Sequence, residues 1–258
     1  MSTSRVVLIT GATTGIGLGL AKRFHRRGDQ LLVTGRSEER LDRVRAQLPG
    51  VLTFAGDLAI PADRERLAHH VTSEFPDLDV LINNAGIQRR VEIARDRAAW
   101  HERQHEIDLL LAAPIHLVSL LTPLLLAHGR DSQIVNVTSG GAFNPQPFAP
   151  TYSAAKAALH SYTMNLRYAL EGTTVTVTEL IPPAVATDLA GPGTAHGADV
   201  DEFCDAAFTG IDEGREEVGF GPTSSPEFLR RLTEENSRFA QGAKRFPVAR
   251  YVNEATMS

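Results

Sequence analysis

An apolar, β-branched run, Val6-Val7-Leu8-Ile9-Thr10, passes directly into Gly11-Ala12-Thr13-Thr14-Gly15-Ile16-Gly17 and then into a helix-forming stretch that ends at Gly28. Strand, glycine loop, helix is an order that few folds accept. Glycines permit the turn and a close backbone approach, and the first amides and dipole of the following helix attract an anion such as a pyrophosphate. The spacing is Gly-x-x-x-Gly-x-Gly, distinct from the Gly-x-Gly-x-x-Gly of the better-known dinucleotide fingerprint. The competing reading is that these glycines only close a strand-to-helix turn.

The same alternation continues down the chain. Strand patterns recur at 31–35, 52–56, 80–83, 134–138 and 175–180, and helical patterns at 38–48, 62–75, 96–127, 152–170 and 226–239. Strands apolar on both faces, alternating with helices, predict an α/β fold: a Rossmann-like, doubly wound parallel sheet with helices on both faces and strand order 3-2-1-4-5-6. At 258 residues and 42% hydrophobic content, the chain is read as a single domain over 1–258. The apolar stretch 109–126 approaches membrane-span length, but Pro114, His116 and Pro123 interrupt it, so a buried helix is expected and no membrane partner. A net charge of -5 gives no reason to expect nucleic acid or an anionic membrane. The single cysteine, Cys204, cannot form an internal disulfide, and no signal-like apolar run opens the sequence, so a cytoplasmic location is expected.

Chemistry is carried by Tyr152 and Lys156, in Tyr-Ser-Ala-Ala-Lys, with Ser139 thirteen positions before the tyrosine. Four residues apart on a helix, phenol and ammonium share a face. The cation is expected to lower the tyrosine's pKa and so to suit it to proton exchange. Ser139 would hold a substrate oxygen. Taken alone, such a pair also fits an exposed helix surface.

Thr10-Gly11-x-x-x-Gly15-Ile16-Gly17, Asn83-Asn84-Ala85-Gly86, Ser139 and Tyr152-x-x-x-Lys156 together resemble the short-chain dehydrogenase/reductase family, in order and spacing, from about residue 5 to 190. The resemblance implies an NAD(P)-binding fold with a seventh strand near 218–220. Gly11, Thr13, Thr14, Gly15, Ile16 and Gly17 would bind the cofactor diphosphate. Asp57 and Leu58 would lie by the adenine, and Asn84, Ala85 and Gly86 by its ribose. Pro182, Val185 and Thr187 would line the nicotinamide pocket. Tyr152 would be the acid/base, Lys156 would also bond the nicotinamide ribose, and Ser139 would orient the reacting oxygen of a small-molecule carbonyl or secondary alcohol. A homodimer or homotetramer built from the two long helices is also implied.

The family's usual acidic residue after the second strand is replaced by Gly35, followed by Arg36. Loss of the carboxylate and gain of a guanidinium favour a 2′-phosphate, hence NADP(H) over NAD(H). Alternatively, Arg36 flanks the helix at 38 or stacks on adenine. A second departure is Leu110, where the family has an asparagine that helps hold a water linked to the lysine. The leucine side chain can neither donate nor accept, although its backbone carbonyl could still hold a water, and Asp108, about 200° away around an ideal helix, is a poor substitute. Leu110 therefore keeps a second functional class open, a nucleotide-binding protein of this fold with weak or lost redox activity. Pro183, where glycine is usual, would narrow the pocket.

His101-Glu102-Arg103-Gln104-His105 matches the helical zinc-protease motif, but no downstream ligand has a metal context, and no metal is expected. His69 and His70 read as solvated, and His160 as packing at an interface. Phe143 and Phe148 would make an apolar substrate pocket with Gln146 as a polar selector, or else are ordinary packing; Gln88 and Arg89 would reach its mouth. Residues 187–225 are read as a substrate loop or lid, hinged on the glycines of 191–197 unless these form an undecorated surface loop, and the tail beyond 239 has no assigned role.

Overall fold

The computed structural model describes residues 4–189, 191, 193, 195–246 and 248–251. Seven strands form one sheet: β1 (Val6–Ile9), β2 (Gln30–Gly35), β3 (Leu52–Ala55), β4 (Leu78–Asn83), β5 (Ser132–Val137), β6 (Val175–Ile181) and β7 (Glu217–Gly219). All pairings are parallel, in the order β3-β2-β1-β4-β5-β6-β7. Parallel strands need crossovers, and helices supply them: α1 (Gly15–Arg27), α2 (Glu38–Gln47), α3 (Pro61–Glu74), α4 (Trp100–Ile107), α5 (Ala113–Ala127), α6 (Pro150–Leu170), α7 (Val200–Asp212) and α8 (Pro226–Ala243).

The period of two along each strand divides the core into two layers. Val7, Ile9, Val33, Val80 and Ile82 face α1 and α7 with Phe24 and Phe203. Leu8, Leu32, Leu81 and Ile134 face the other way, against Leu67 of α3, Leu117 and Leu121 of α5 and Leu166 of α6. Residues 100–127 are long and apolar enough to cross a membrane, yet Leu109, Ala113, Leu117, Leu121 and Leu125 are spent on this second layer.

Ile9 aligns with Ile82, and Asn83 with Asn136, so β1, β4 and β5 end side by side. The strand order reverses between β1 and β4, and a crevice opens beyond their carboxyl ends. Within 187–225, residues 200–212 are a helix docked on α1 and 217–219 complete the sheet. Of the expected lid this leaves 187–199, of which Ala190, Pro192 and Thr194 lie outside the described residues. The tail to Tyr251 follows α6, where the Tyr251 N–H donates to the Ala169 carbonyl; residues 252–258 lie outside the described residues.

Candidate active site

The glycine loop is shaped by what a side chain would strike. Gly11 has φ 65°, and a Cβ there would sit 2.6 Å from the Ala85 Cα; at Gly17 it would meet Asn84 Nδ2 at 2.4 Å. These contacts lock the loop to the end of β4. Thr10 Oγ1 accepts from the Asn84 and Ala85 N–H groups, and Asn84 Nδ2 donates to the Thr10 and Gly11 carbonyls. Thr14 occupies the N-cap of α1 without a side-chain bond, and no acidic residue stands in the first turn. The helix therefore presents free amides to an anion. Gly15 (φ 55°) packs against Thr187, whose Cγ2 would lie 3.1 Å from an added Cβ. Ile16 packs on the core. The segment after β6 is held in turn by the Gly140 N–H to the Pro182 carbonyl (2.8 Å) and by a bridge pairing Val185 with Ala198. A cleft of about 250 Å³ separates Thr14, Gly15 and Lys22 from Thr187 and Asp188.

At the far end of the crevice, a Cβ on Gly35 would lie 2.5 Å from Thr13 Cγ2. The glycine excludes a carboxylate by sterics as well as by sequence. Arg36 is exposed, 3.9 Å from Asp57, and α2 is capped by Ser37 accepting from the Arg40 N–H, so Arg36 has no capping duty. Burial works against the Asp57 charge, but bonds from His105 (3.0 Å) and the Ala59 N–H keep its carboxyl below the ordinary range. Leu58 is buried in the core. His105 is thus committed to Asp57 and His101 is exposed; among the described residues no group of three or more His, Cys, Asp or Glu is placed to hold a metal.

Ser139 leaves β5 with extended backbone, and its Oγ accepts from the Gly141 N–H (3.0 Å). Its hydroxyl also bonds the Tyr152 phenol. Lys156 Nζ lies 5.8 Å from the Tyr152 ring centre and donates to the Val137 carbonyl at 2.6 Å. All three side chains are buried. Without a neighbouring negative charge, burial drives the Lys156 ammonium down to about 8. Burial also raises the Tyr152 phenol; the Ser139 bond opposes this, and Glu106 adds to it. The expected lowering by Lys156 is not seen. Lys156 Nζ is turned toward the Val137 carbonyl, and the phenol is governed by burial, Ser139 and Glu106.

Two groups were given no role from the sequence. Glu106, on α4, is 1% exposed; Oε1 accepts from the Arg89 N–H (2.9 Å) and Oε2 has no partner. Burial pushes its carboxyl up, and the Arg89 N–H only partly counters this. Asn83, at the end of β4, is 5% exposed and its Oδ1 has no protein partner. Leu110 packs with Ala149, Tyr152 and Ala155, inside a π-helical turn, Asp108–Ala112, that joins α4 to α5. The Ala113 N–H goes to the Asp108 carbonyl and Pro114 has no N–H, so the Leu109 and Leu110 carbonyls lose their usual donors. Asp108 itself accepts from Gln104.

Other expectations are corrected. His160 packs inside the molecule and not at an interface: Nδ1 meets Glu179 at 2.8 Å and the ring meets Phe143 edge-on. Burial lowers its proton affinity, but the Glu179 bond outweighs this and holds it above the ordinary value. His70 is not solvated but half-buried, stacked on Phe54. Phe143 lies against Phe228, away from the crevice, and Phe148 is exposed beside Arg90. At the mouth stand Gln88 and Gln146, bonded at 3.2 Å, with the Gln88 N–H donating to the Leu189 carbonyl.

Comparison with known proteins agrees with this geometry. Residues 5–196 match the family described as short chain dehydrogenase. The chain is 40% identical over 222 residues to the uncharacterized oxidoreductase DltE of Bacillus subtilis, covering 84% of this chain and 88% of that one. It is 32% identical over 209 residues to the NADP-dependent 3-hydroxy acid dehydrogenase YdfG of Salmonella typhi, covering 81% and 78%. The structure superposes on a short-chain dehydrogenase from Sphingobium yanoikuyae in complex with NADPH with a TM-score of 0.80 at 28% identity, over 97% and 98% of the two chains. With fold, motifs and relatives in agreement, the chain belongs to the short-chain dehydrogenase family of oxidoreductases, whose fold takes a nicotinamide nucleotide.

Proposed function

We propose that the protein interconverts a carbonyl and a secondary alcohol with NADP(H), using Tyr152 as general acid/base. The observation that carries this reading is the meeting of Ser139, Tyr152 and Lys156, all buried, at the end of β5 beside the glycine loop. When bound, the nicotinamide nucleotide supplies or accepts the hydride. The residues fit such a group: a cradle that a Cβ at Gly11 or Gly17 would fill, free amides at the start of α1, and Thr187 across from Gly15. In carbonyl reduction the Tyr152 phenol gives its proton to the substrate oxygen, while the Ser139 hydroxyl holds that oxygen in place. Lys156 stabilises the phenolate that remains. A Tyr152 held protonated near neutrality is poised for reduction rather than oxidation. Gly35 and exposed Arg36 support NADP(H), because the site lacks a carboxylate that would repel a 2′-phosphate and has a guanidinium to bind it; the NADPH-bound Sphingobium enzyme and the NADP-dependent YdfG are in keeping.

The test is NADPH oxidation with a panel of ketones, aldehydes and 3-oxo acids, with Tyr152→Phe as control. Turnover lost in that variant supports the reading. Tight NADPH binding with no turnover on any carbonyl would favour the second reading, a nucleotide-binding protein with its redox role lost, which Leu110 motivates.

A further inference from the structure

Between the end of β4, the π-helical turn and α6 lies a cavity of about 10 Å³, lined by Thr10, Asn83, Lys156 and the apolar side chains of Leu110, Ala113 and Leu117 among others. That is roughly the space one water needs. Which Asn83 atom remains unpaired is decided by a chain of bonds. The Leu159 carbonyl can only accept, so Thr163 donates to it (2.7 Å) and accepts from Asn136 Nδ2 (3.0 Å). Asn136 Oδ1 is then the atom facing β4, and it accepts from Asn83 Nδ2 (2.9 Å). Asn83 Oδ1 is left over, an acceptor in a side chain 5% exposed, without a protein partner. Lys156 is as deeply buried, and of its three donors one goes to the Val137 carbonyl. A donor and an acceptor, both desolvated, border the same one-water cavity.

We propose that this cavity is a built water site in which one water bridges Lys156 Nζ to Asn83 Oδ1, making Asn83 a positioning residue for the lysine. The side-chain support that Leu110 lacks comes from the sheet instead. From Asn83 the bonds run through the Asn136 amide and Thr163 to the Leu159 carbonyl, so the water is tied to the sheet and Lys156 is steadied.

The functional consequence rests on the proposed role of Lys156; the water site does not. The experiment therefore has arms that need no turnover. Crystals of the wild-type protein should show density within hydrogen-bond distance of both Nζ156 and Oδ1 of Asn83. Ala113→Val, which fills the cavity without touching either partner, should lower the Lys156 pKa by about one pH unit, because it removes an acceptor from the charged form. The shift is read from ¹³C-lysine NMR, with only Lys22, Lys156 and Lys244 in the sequence. In the same variant, turnover should fall about tenfold and the pH profile shift with the lysine, while NADPH affinity changes less than about twofold. A folded Ala113→Val protein with an unchanged Lys156 pKa overturns the inference. So does wild-type density in which Asn83 Oδ1 meets a protein donor and no water, a result that decides the matter even if the variant does not fold. Failure of all carbonyl substrates, with the water and the pKa shift present, would count against the proposed reaction and leave the site standing.

Discussion

Two buried cations sit on opposite faces of the sheet and are treated in opposite ways. On the α1–α7 face, Arg23 is held by Asp201, Asp205, the Gly19 carbonyl and the Asp201 carbonyl. Burial disfavours its charge, but the two carboxylates more than restore it. On the α5–α6 face, Lys156 has one carbonyl among the protein's own groups and falls to about 8. Nearby Glu106 and Asn83 each keep an oxygen without a protein partner. The two carboxylates satisfy Arg23 and tie α1 to α7. Around Lys156 polar groups are left unsatisfied, as groups that must change protonation or meet a ligand require.

The sharpest way to break this contrast is at the phenol. Tyr152→Phe removes only an oxygen, so carbonyl reduction should fall by about 10²-fold or more with thermal stability unchanged, as steady-state kinetics and a melting curve would show. Arg36→Asp, in the cofactor half, should weaken NADPH binding by about tenfold to a hundredfold and narrow its margin over NADH, measured by fluorescence titration.

Lys156→Met tests whether function costs stability here. A lysine whose folded-state pKa lies below its unfolded value makes the unfolded chain bind more protons between the two values. Stability should therefore rise as pH climbs from about 8 to the ordinary lysine value, and the penalty is complete below that window. Removing the charge should stabilise the protein at neutral pH by up to about 3 kcal/mol and flatten that rise, as denaturant curves across the window would reveal. On the opposite face, Arg23→Met should do the reverse, lowering Tm by about 2–4 °C with turnover per folded molecule intact. Glu106→Gln is the smallest change. Losing a negative charge near the phenol lets Tyr152 ionise more readily, so the high-pH limb of carbonyl reduction should move to lower pH.

Where the sequence was readable, local rules and tertiary demands coincided. The strand–glycine–helix unit, the parallel sheet and the family motifs follow from periodicity and from residues whose roles are nearly local. Helix α7 was also writable: Asp199 caps it, and Val200, Phe203, Cys204, Ala207 and Ile211 recur at helical spacing. The glycines of 191–197 drew attention away from that signal. Phe143 and His160 were ambiguous, because an aromatic or a histidine near a site looks alike whether it faces ligand or core, and only Glu179 on β6 decides for His160. Glu106 could not be read at all. A glutamate in Trp-His-Glu-Arg-Gln-His-Glu looks like a solvated helix position, and its burial comes from α4 packing against α6 with the Arg89 N–H over its carboxylate.

The lone thiol carries one last implication. Gly19 leaves a notch in α1 into which Cys204 Sγ fits, so closely that a methyl at Gly19 would come within 2.5 Å of it, and burial drives that thiol up to about 12. Alkylating reagents should therefore leave the native enzyme untouched. Because the sequence has no other cysteine to compete, the rate at which such a reagent does label the protein becomes a clock for how often α7 lifts away from α1.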